Sequence, residues 1–281
     1  MTALCRIFVQ ADCPFFIYRD MSCGCEARSP EISACDIMQK LEQAFGLPYR
    51  EKEKGERQMK QNQNVRAAAL GYYLILYILW AVLECVIVPK LELHLSHAAV
   101  DVIKETVCKI IFWSIPALIL IIRHSDSMFL TKSEILGNAK KTVTYIPMWI
   151  LIAVFTAWHL LLNYFQNGTI VLSPSFKAAD ILISIFVGIT EEMVFRGFLL
   201  NTELKEQRPW LALSGNAVMF LLIHFPIWLR EDVFVTYMTS FAFMQLILLS
   251  MIFGFAFVKS RSIVVPIILH AYWDMLCFAF A

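Results

Sequence analysis

From residue 67 onward the chain alternates long apolar runs with short polar breaks, and a helix needs about 20 mostly apolar residues to cross a bilayer. The runs predict spans near 67–88, 107–122, 143–165, 178–200, 211–229, 235–258 and 263–281. That is about seven, or six to eight if a marginal run is merged or split. The second run is short and carries Lys109, which predicts an interfacial or snorkelling helix. The expected fold is all-α, a polytopic transmembrane helical bundle.

Composition agrees. Of 281 residues, 59% are hydrophobic and 17% charged, against about a quarter charged in soluble domains. A net charge of +1, with no basic patch interleaved with aromatics, argues against nucleic-acid binding. Five of the eight cysteines fall in the first 35 residues without a CxxC pair. They read as unpaired thiols rather than as a disulfide or zinc clip. Cys85, Cys108 and Cys277 read as small buried hydrophobes.

Loop charge orients the bundle, because Lys and Arg concentrate on the cytoplasmic side. With the N-terminus inside, the inner segments hold six basic residues between 50 and 66, then Arg123, Lys132, Lys140, Lys141, Lys205, Arg208, Lys259 and Arg261. The outer loops hold only Lys90, Lys104, Lys177 and Arg230. The expected location is a bacterial plasma membrane, with the N-terminus cytoplasmic. Residues 1–58 read as a cytosolic tail, 59–177 as N-terminal membrane helices and 178–281 as a catalytic core. The stretch 34–46 is a candidate amphipathic helix in the tail. In a bacterium, the codons for Lys54-Gly55-Glu56 can spell a ribosome-binding sequence, so a start at Met59 is an alternative to Met1.

Ionisable residues within spans are expensive, about +2.5 to +3.5 kcal/mol for a central Arg or Asp, and mark function by default. The candidates are Glu191, Glu192 and Arg196 in the fourth span, His224 in the fifth, and His270 with Asp274 in the seventh. Glu192 and Arg196 are four apart, on one face and in the favourable acid-first order for an ion pair. Glu191 is turned about 100° away, which leaves it free for another partner. Helix rise places all three spans' charges together in the inner half of the bilayer. Two carboxylates and two imidazoles meeting in a wet pocket could hydrolyse a bond, with a carboxylate as general base and imidazoles binding metal or steadying negative charge. Other features read more plainly. Glu84 suits an interface, and His159 a hydrogen bond to a neighbouring helix. Gly188 and Gly197 suit close helix approach, and Trp210 and Trp228 an aromatic belt.

At these residues the sequence resembles a known family. "EEMVFRG" (Glu191 to Gly197), "FLLIH" (Phe220 to His224) and "HAYWD" (His270 to Asp274) are similar to the EExxxR, FxxxH and HxxxN/D motifs of the CPBP intramembrane proteases, also called Abi. That family groups CAAX prenyl endoproteases with bacteriocin-processing and self-immunity proteins. The resemblance covers roughly residues 180 to 275. It implies an intramembrane endopeptidase in which Glu191 activates water with help from His224, while His270 and residue 274 stabilise the oxyanion. Glu192 and Arg196 would be positional supports. It carries both a metal-dependent reading, with zinc on Glu191, His224 and His270, and a metal-free glutamate reading. HExxH is absent, so the chain is not a zincin. Many members have Asn where this chain has Asp274, and an ionised carboxylate cannot donate to an oxyanion as an amide can. Asp274 would then have to be protonated by burial, orient His270 or bind a metal, and the departure tilts the reading toward metal coordination. The expected partners are the lipid bilayer and a membrane-associated peptide or protein substrate. The alternatives are a non-catalytic immunity or scaffolding protein of the same fold, and a transporter, which inverted repeats would support.

Overall fold

The structure, a computed structural model, describes residues 49–137 and 142–280. The cysteine-rich tail and the stretch 34–46 lie outside the described residues, as do Lys140 and Lys141. Residues 54–281 cluster as one compact unit. Among the described residues every regular element is helical.

Seven helices correspond to the seven apolar runs. They are α1 (Gln61–Leu91), α2 (His97–Ser127), α3 (Ile146–Asn167), α5 (Pro209–Arg230) and α6 (Ala242–Ser260), with α4 (Ala178–Glu192) and α7 (Val264–Phe280). The first five are long and apolar enough to cross a membrane. The seventh is apolar but has 17 residues. The fourth continues as a π-helix through Met193–Leu200 and a last turn Asn201–Glu203.

Local chemistry sets the ends. Asp180 Oδ2 accepts from Lys177 N at 2.7 Å and starts α4, satisfying a donor that a helix N-terminus leaves open. Pro209 starts α5, where a missing N–H costs nothing. Gly168, at φ 71°, ends α3 by donating its N–H to Tyr164 O, as left-handed glycine caps do.

Two boundaries differ from the expected spans. The sixth helix starts at Ala242, behind a separate short helix Phe234–Thr239. Phe241 at φ 60° breaks the run, and no Gly or Pro there signals it. The second helix is longer than its apolar run because charged residues at its start are buried rather than snorkelling: Lys104 and Lys109 are each 3% exposed.

Two apolar cores hold the bundle. One joins α1, α2, α4 and α5 through Tyr73, Trp113, Phe195, Phe198 and Phe220. The other joins α3, α6 and α7 through Phe155, Phe253, Leu269 and Trp273. Leu70, Leu74, Ile75 and Ile78 instead point outward from α1, as a lipid-facing surface requires. Trp210 is exposed, but Trp228 is buried and packs edge-on to Tyr237 at 5.0 Å rather than joining a belt. Cys85 and Cys277 are also exposed and Cys108 half-buried, so the three thiols are not core residues.

Candidate active site

The site forms where α4 meets α7. A Cβ on Gly188 would lie 3.0 Å from Ala271 N and Ile267 O, tighter than most real Cβ contacts and against backbone. Glycine here lets the two backbones approach closely without strain, which carries His270 to the face of Glu191 and Glu192. At Gly197 the nearest atom would be a flexible one, Ile121 Cδ1 at 3.3 Å.

Glu192 and Arg196 pair as their spacing predicts. Arg196 Nη1 donates to Glu192 Oε1 at 2.7 Å. Its Nη2 donates to Ser250 O at 3.0 Å and Ser250 Oγ at 2.8 Å on α6. The guanidinium lies 4.7 Å from the Phe220 ring centroid and 5.6 Å from that of Phe253. His270 Nδ1 meets the same Glu192 Oε1 at 2.7 Å, and a carboxylate can only accept, so Nδ1 carries a proton. Its ring stacks on Phe253 at 5.1 Å. The other nitrogen, Nε2, is turned toward Asp274 Oδ2 at 3.5 Å and Glu191 Oε2 at 3.9 Å.

Glu191 is not free, contrary to the expectation from spacing. Lys109 Nζ lies 2.6 Å from its Oε1. The ammonium is also 2.5 Å from Glu105 Oε2 and about equally far from the Trp80 and Trp113 rings, 5.3 and 5.1 Å. Glu191 Oε2 is buried and has no hydrogen-bond partner among the described residues. Lys109 and Glu105 are site residues that the motifs did not reveal. The available signal was the charge of Lys109 inside a span, the same signal that singled out Glu191, whereas Glu105 lies outside the predicted run 107–122.

His224 sits at a break in α5. Pro226 follows it in the first turn of Phe225–Arg230, and proline removes a donor and clashes with the preceding turn. The ring's Nδ1 meets Phe220 O at 2.7 Å; a carbonyl accepts, so this nitrogen donates and Nε2 is left for the cavity. His159 meets the carbonyl of Phe155 in its own helix and the Cys277 thiol at 3.6 Å, away from these groups.

A cavity of about 740 Å³ lies between α2, α4, α5 and α7, and Glu191, His224, Asp274, Lys109 and Glu105 line it. Glu191 is near mid-helix, about 18 Å by helix rise from Glu203 and about 20 Å from Ala178, rather than in the inner half. The charges continue from the cavity wall, which Lys104 also lines, into the bundle. Lys104 Nζ lies 3.3 Å from Glu105 and 3.2 Å from Glu84, and Arg230 Nε donates to Glu84 Oε2 at 2.9 Å. Glu84 is therefore fully buried rather than interfacial.

The residues do not fit a resident metal in this arrangement. Among the described residues no three His, Cys, Asp or Glu side chains gather as a ligand set.

No curated protein and no solved structure matches the chain. Residues 173–276 match the family described as Type II CAAX prenyl endopeptidase Rce1-like, a segment that holds all three motifs. The match is to this segment, an Rce1-like type II CAAX prenyl endopeptidase domain, and it agrees with the resemblance of its three motifs to the CPBP/CAAX proteases.

Proposed function

We propose that the protein is an intramembrane endopeptidase that hydrolyses a peptide bond of a membrane-associated substrate, with Glu191 as general base. One observation carries the reading: Glu191 Oε2 is buried without a hydrogen-bond partner beside a cavity, while Lys109 fixes the other oxygen. Oε2 takes a proton from the attacking water, and the hydroxide adds to the substrate carbonyl carbon. His224 Nε2, which accepts because Nδ1 donates, orients the attacking water, and His270, protonated on both nitrogens between Glu192 and Asp274, steadies the oxyanion through its Nε2–H. The C–N bond then breaks, and the proton held by Glu191 passes to the leaving amine. Asp274 and Glu192 orient His270 from its two sides, and Arg196 orients Glu192. In this role Asp274 need not donate to the oxyanion, so Asp in place of Asn is tolerated.

Glu191→Gln keeps the size of the side chain and removes the base. Together with His224→Ala it is expected to lower cleavage about 10²- to 10⁴-fold while insertion and monodispersity of the purified protein are unchanged. Membrane peptides that accumulate with Glu191→Gln over wild type, found by proteomics, identify the substrate. Wild-type cleavage rates in Glu191→Gln refute the mechanism. Protection or binding that survives the substitution, with no accumulated peptide, points to the non-catalytic immunity reading instead. The route uses no metal, so chelation is expected to leave cleavage unchanged.

A further inference from the structure

The helices alternate in direction, and contacts show which ends share a face. At one face Arg66 pairs with Glu203 at 3.1 Å, Arg261 with Glu134 at 2.6 Å, and Phe129 N donates to Asn201 O at 3.0 Å. At the opposite face Arg230 pairs with Glu84 and with Glu92, and Ser173 N donates to Ala279 O at 2.8 Å. The first face carries Arg66, Arg123, Lys132, Lys205, Arg208, Lys259 and Arg261. The second carries Lys90, Lys177 and Arg230, the last nearly buried in its ion pairs. By the rule that Lys and Arg in short loops stay on the cytoplasmic side, the first face is cytosolic.

The cavity that holds Glu191 opens on the other one. Buried Trp80, Trp113 and Ile223 form its floor. Exposed His97, Ser175 and Lys177 form its mouth, at the starts of α2 and α4. From this mouth Glu191 lies about 20 Å deep by helix rise from Ala178. Val102, Ile183, Val187 and Ile227 line the walls between.

We infer that substrate enters from the non-cytosolic face. The substrates are then unfolded, largely apolar segments of exported or membrane-anchored peptides, not C-termini presented in the cytosol. The volume supports this class: about 740 Å³ falls within the roughly 300–1,000 Å³ of small-ligand sites, room for a few residues and not for a folded domain. The apolar walls favour apolar side chains, and the charged mouth suits a polar flank left in water.

The inference rests on the endopeptidase reading for what enters, but its direction is testable without any cleavage assay. The full chain, with its native cysteines replaced, is expressed in a bacterial inner membrane carrying Ser175→Cys at the mouth, Val187→Cys in the cavity wall, or Ser133→Cys at the opposite face. Sealed spheroplasts are treated with a membrane-impermeant thiol reagent before and after lysis. Ser175→Cys and Val187→Cys are expected to react in intact spheroplasts, and Ser133→Cys only after lysis. Reaction of Ser133→Cys alone before lysis reverses the orientation and overturns the inference. A Val187→Cys that reacts from neither side, while Ser175→Cys reacts from outside, shows a closed cavity and overturns it as well. Loss of the catalytic reading through Glu191→Gln leaves these labelling results standing, so the two fail separately.

Discussion

A carboxylate held at 4% exposure needs a counter-charge, and Lys109 supplies it to Glu191. Removing one partner of a buried pair leaves an uncompensated charge and costs about 3–5 kcal/mol, so Glu191 without Lys109 would lose its ionised form or its position. In the proposed mechanism Lys109 acts through Glu191 and is a positioning residue. Lys109→Met is expected to lower kcat about 10²-fold with KM little changed, and Lys109→Arg to recover part of the loss by keeping the cation. A rise in KM alone, or no rescue by arginine, would assign Lys109 to packing. Glu192 and Arg196 were legible in the sequence because four-residue spacing fixes a shared helical face. Lys109 was not, because its partner lies 82 positions away and nothing in its own helix records that distance. Its charge in an apolar run was the visible trace, and snorkelling explained that trace equally well.

Among the elements, π-helical segments coincide with the buried charges. Glu84 lies in Leu83–Ile87, Lys104 and Glu105 in Ile103–Cys108, and Arg196 in Met193–Leu200, while Lys109 separates two such segments. Wider turns of this kind free backbone groups and are common at functional sites. Around Arg196 the Phe195 carbonyl accepts from Asn216 Nδ2 at 2.9 Å. Regular 3.6-residue spacing therefore locates the charged residues but not the direction in which each points. The α4–α7 contact offers a controlled test. Gly188→Val puts a side chain against backbone that cannot yield, and overpacking of this kind costs about 1–3 kcal/mol. Gly215 has nothing within 4 Å of its Cβ position, so Gly215→Ala is expected to hold or slightly raise stability, since alanine favours a helix. Melting temperatures in detergent and cleavage rates should fall for Gly188→Val and hold for Gly215→Ala.

Over the whole molecule the charged side chains form one line. It runs from Arg230 through Glu84, Lys104, Glu105 and Lys109 to Glu191, then across the 3.9 Å gap to His270 and on through Glu192 to Arg196. It crosses α5, α1, α2, α4 and α7 and ends against Ser250 on α6. Helices in lipid gain little from burying apolar area against one another, since the tails are as apolar as leucine. The ion-pair line ties together helices that apolar contact alone would hold loosely. Glu84→Gln cuts it far from the reacting atoms and leaves Lys104 and Arg230 short of one carboxylate. A loss of about 3–5 kcal/mol of stability is expected, seen in detergent melting. If Glu84→Gln melts with wild type, the outer half of the line is not structural.

The same arrangement constrains how the chain is made. The fourth helix carries Asp180, Glu191, Glu192 and Arg196 and is not among the five that qualify as spans by length and composition. Each such charge near a helix centre disfavours entry from the translocon by about 2.5–3.5 kcal/mol. A nascent chain ending at residue 203 has α2, with Lys109, already synthesised, but not α7, with His270. Lys109 can therefore receive Glu191 during synthesis, whereas Glu192 and Arg196 have only each other until α6 and α7 arrive. By order of synthesis, then, the lysine beside the proposed general base is a partner that Glu191 can meet before the last helices are made.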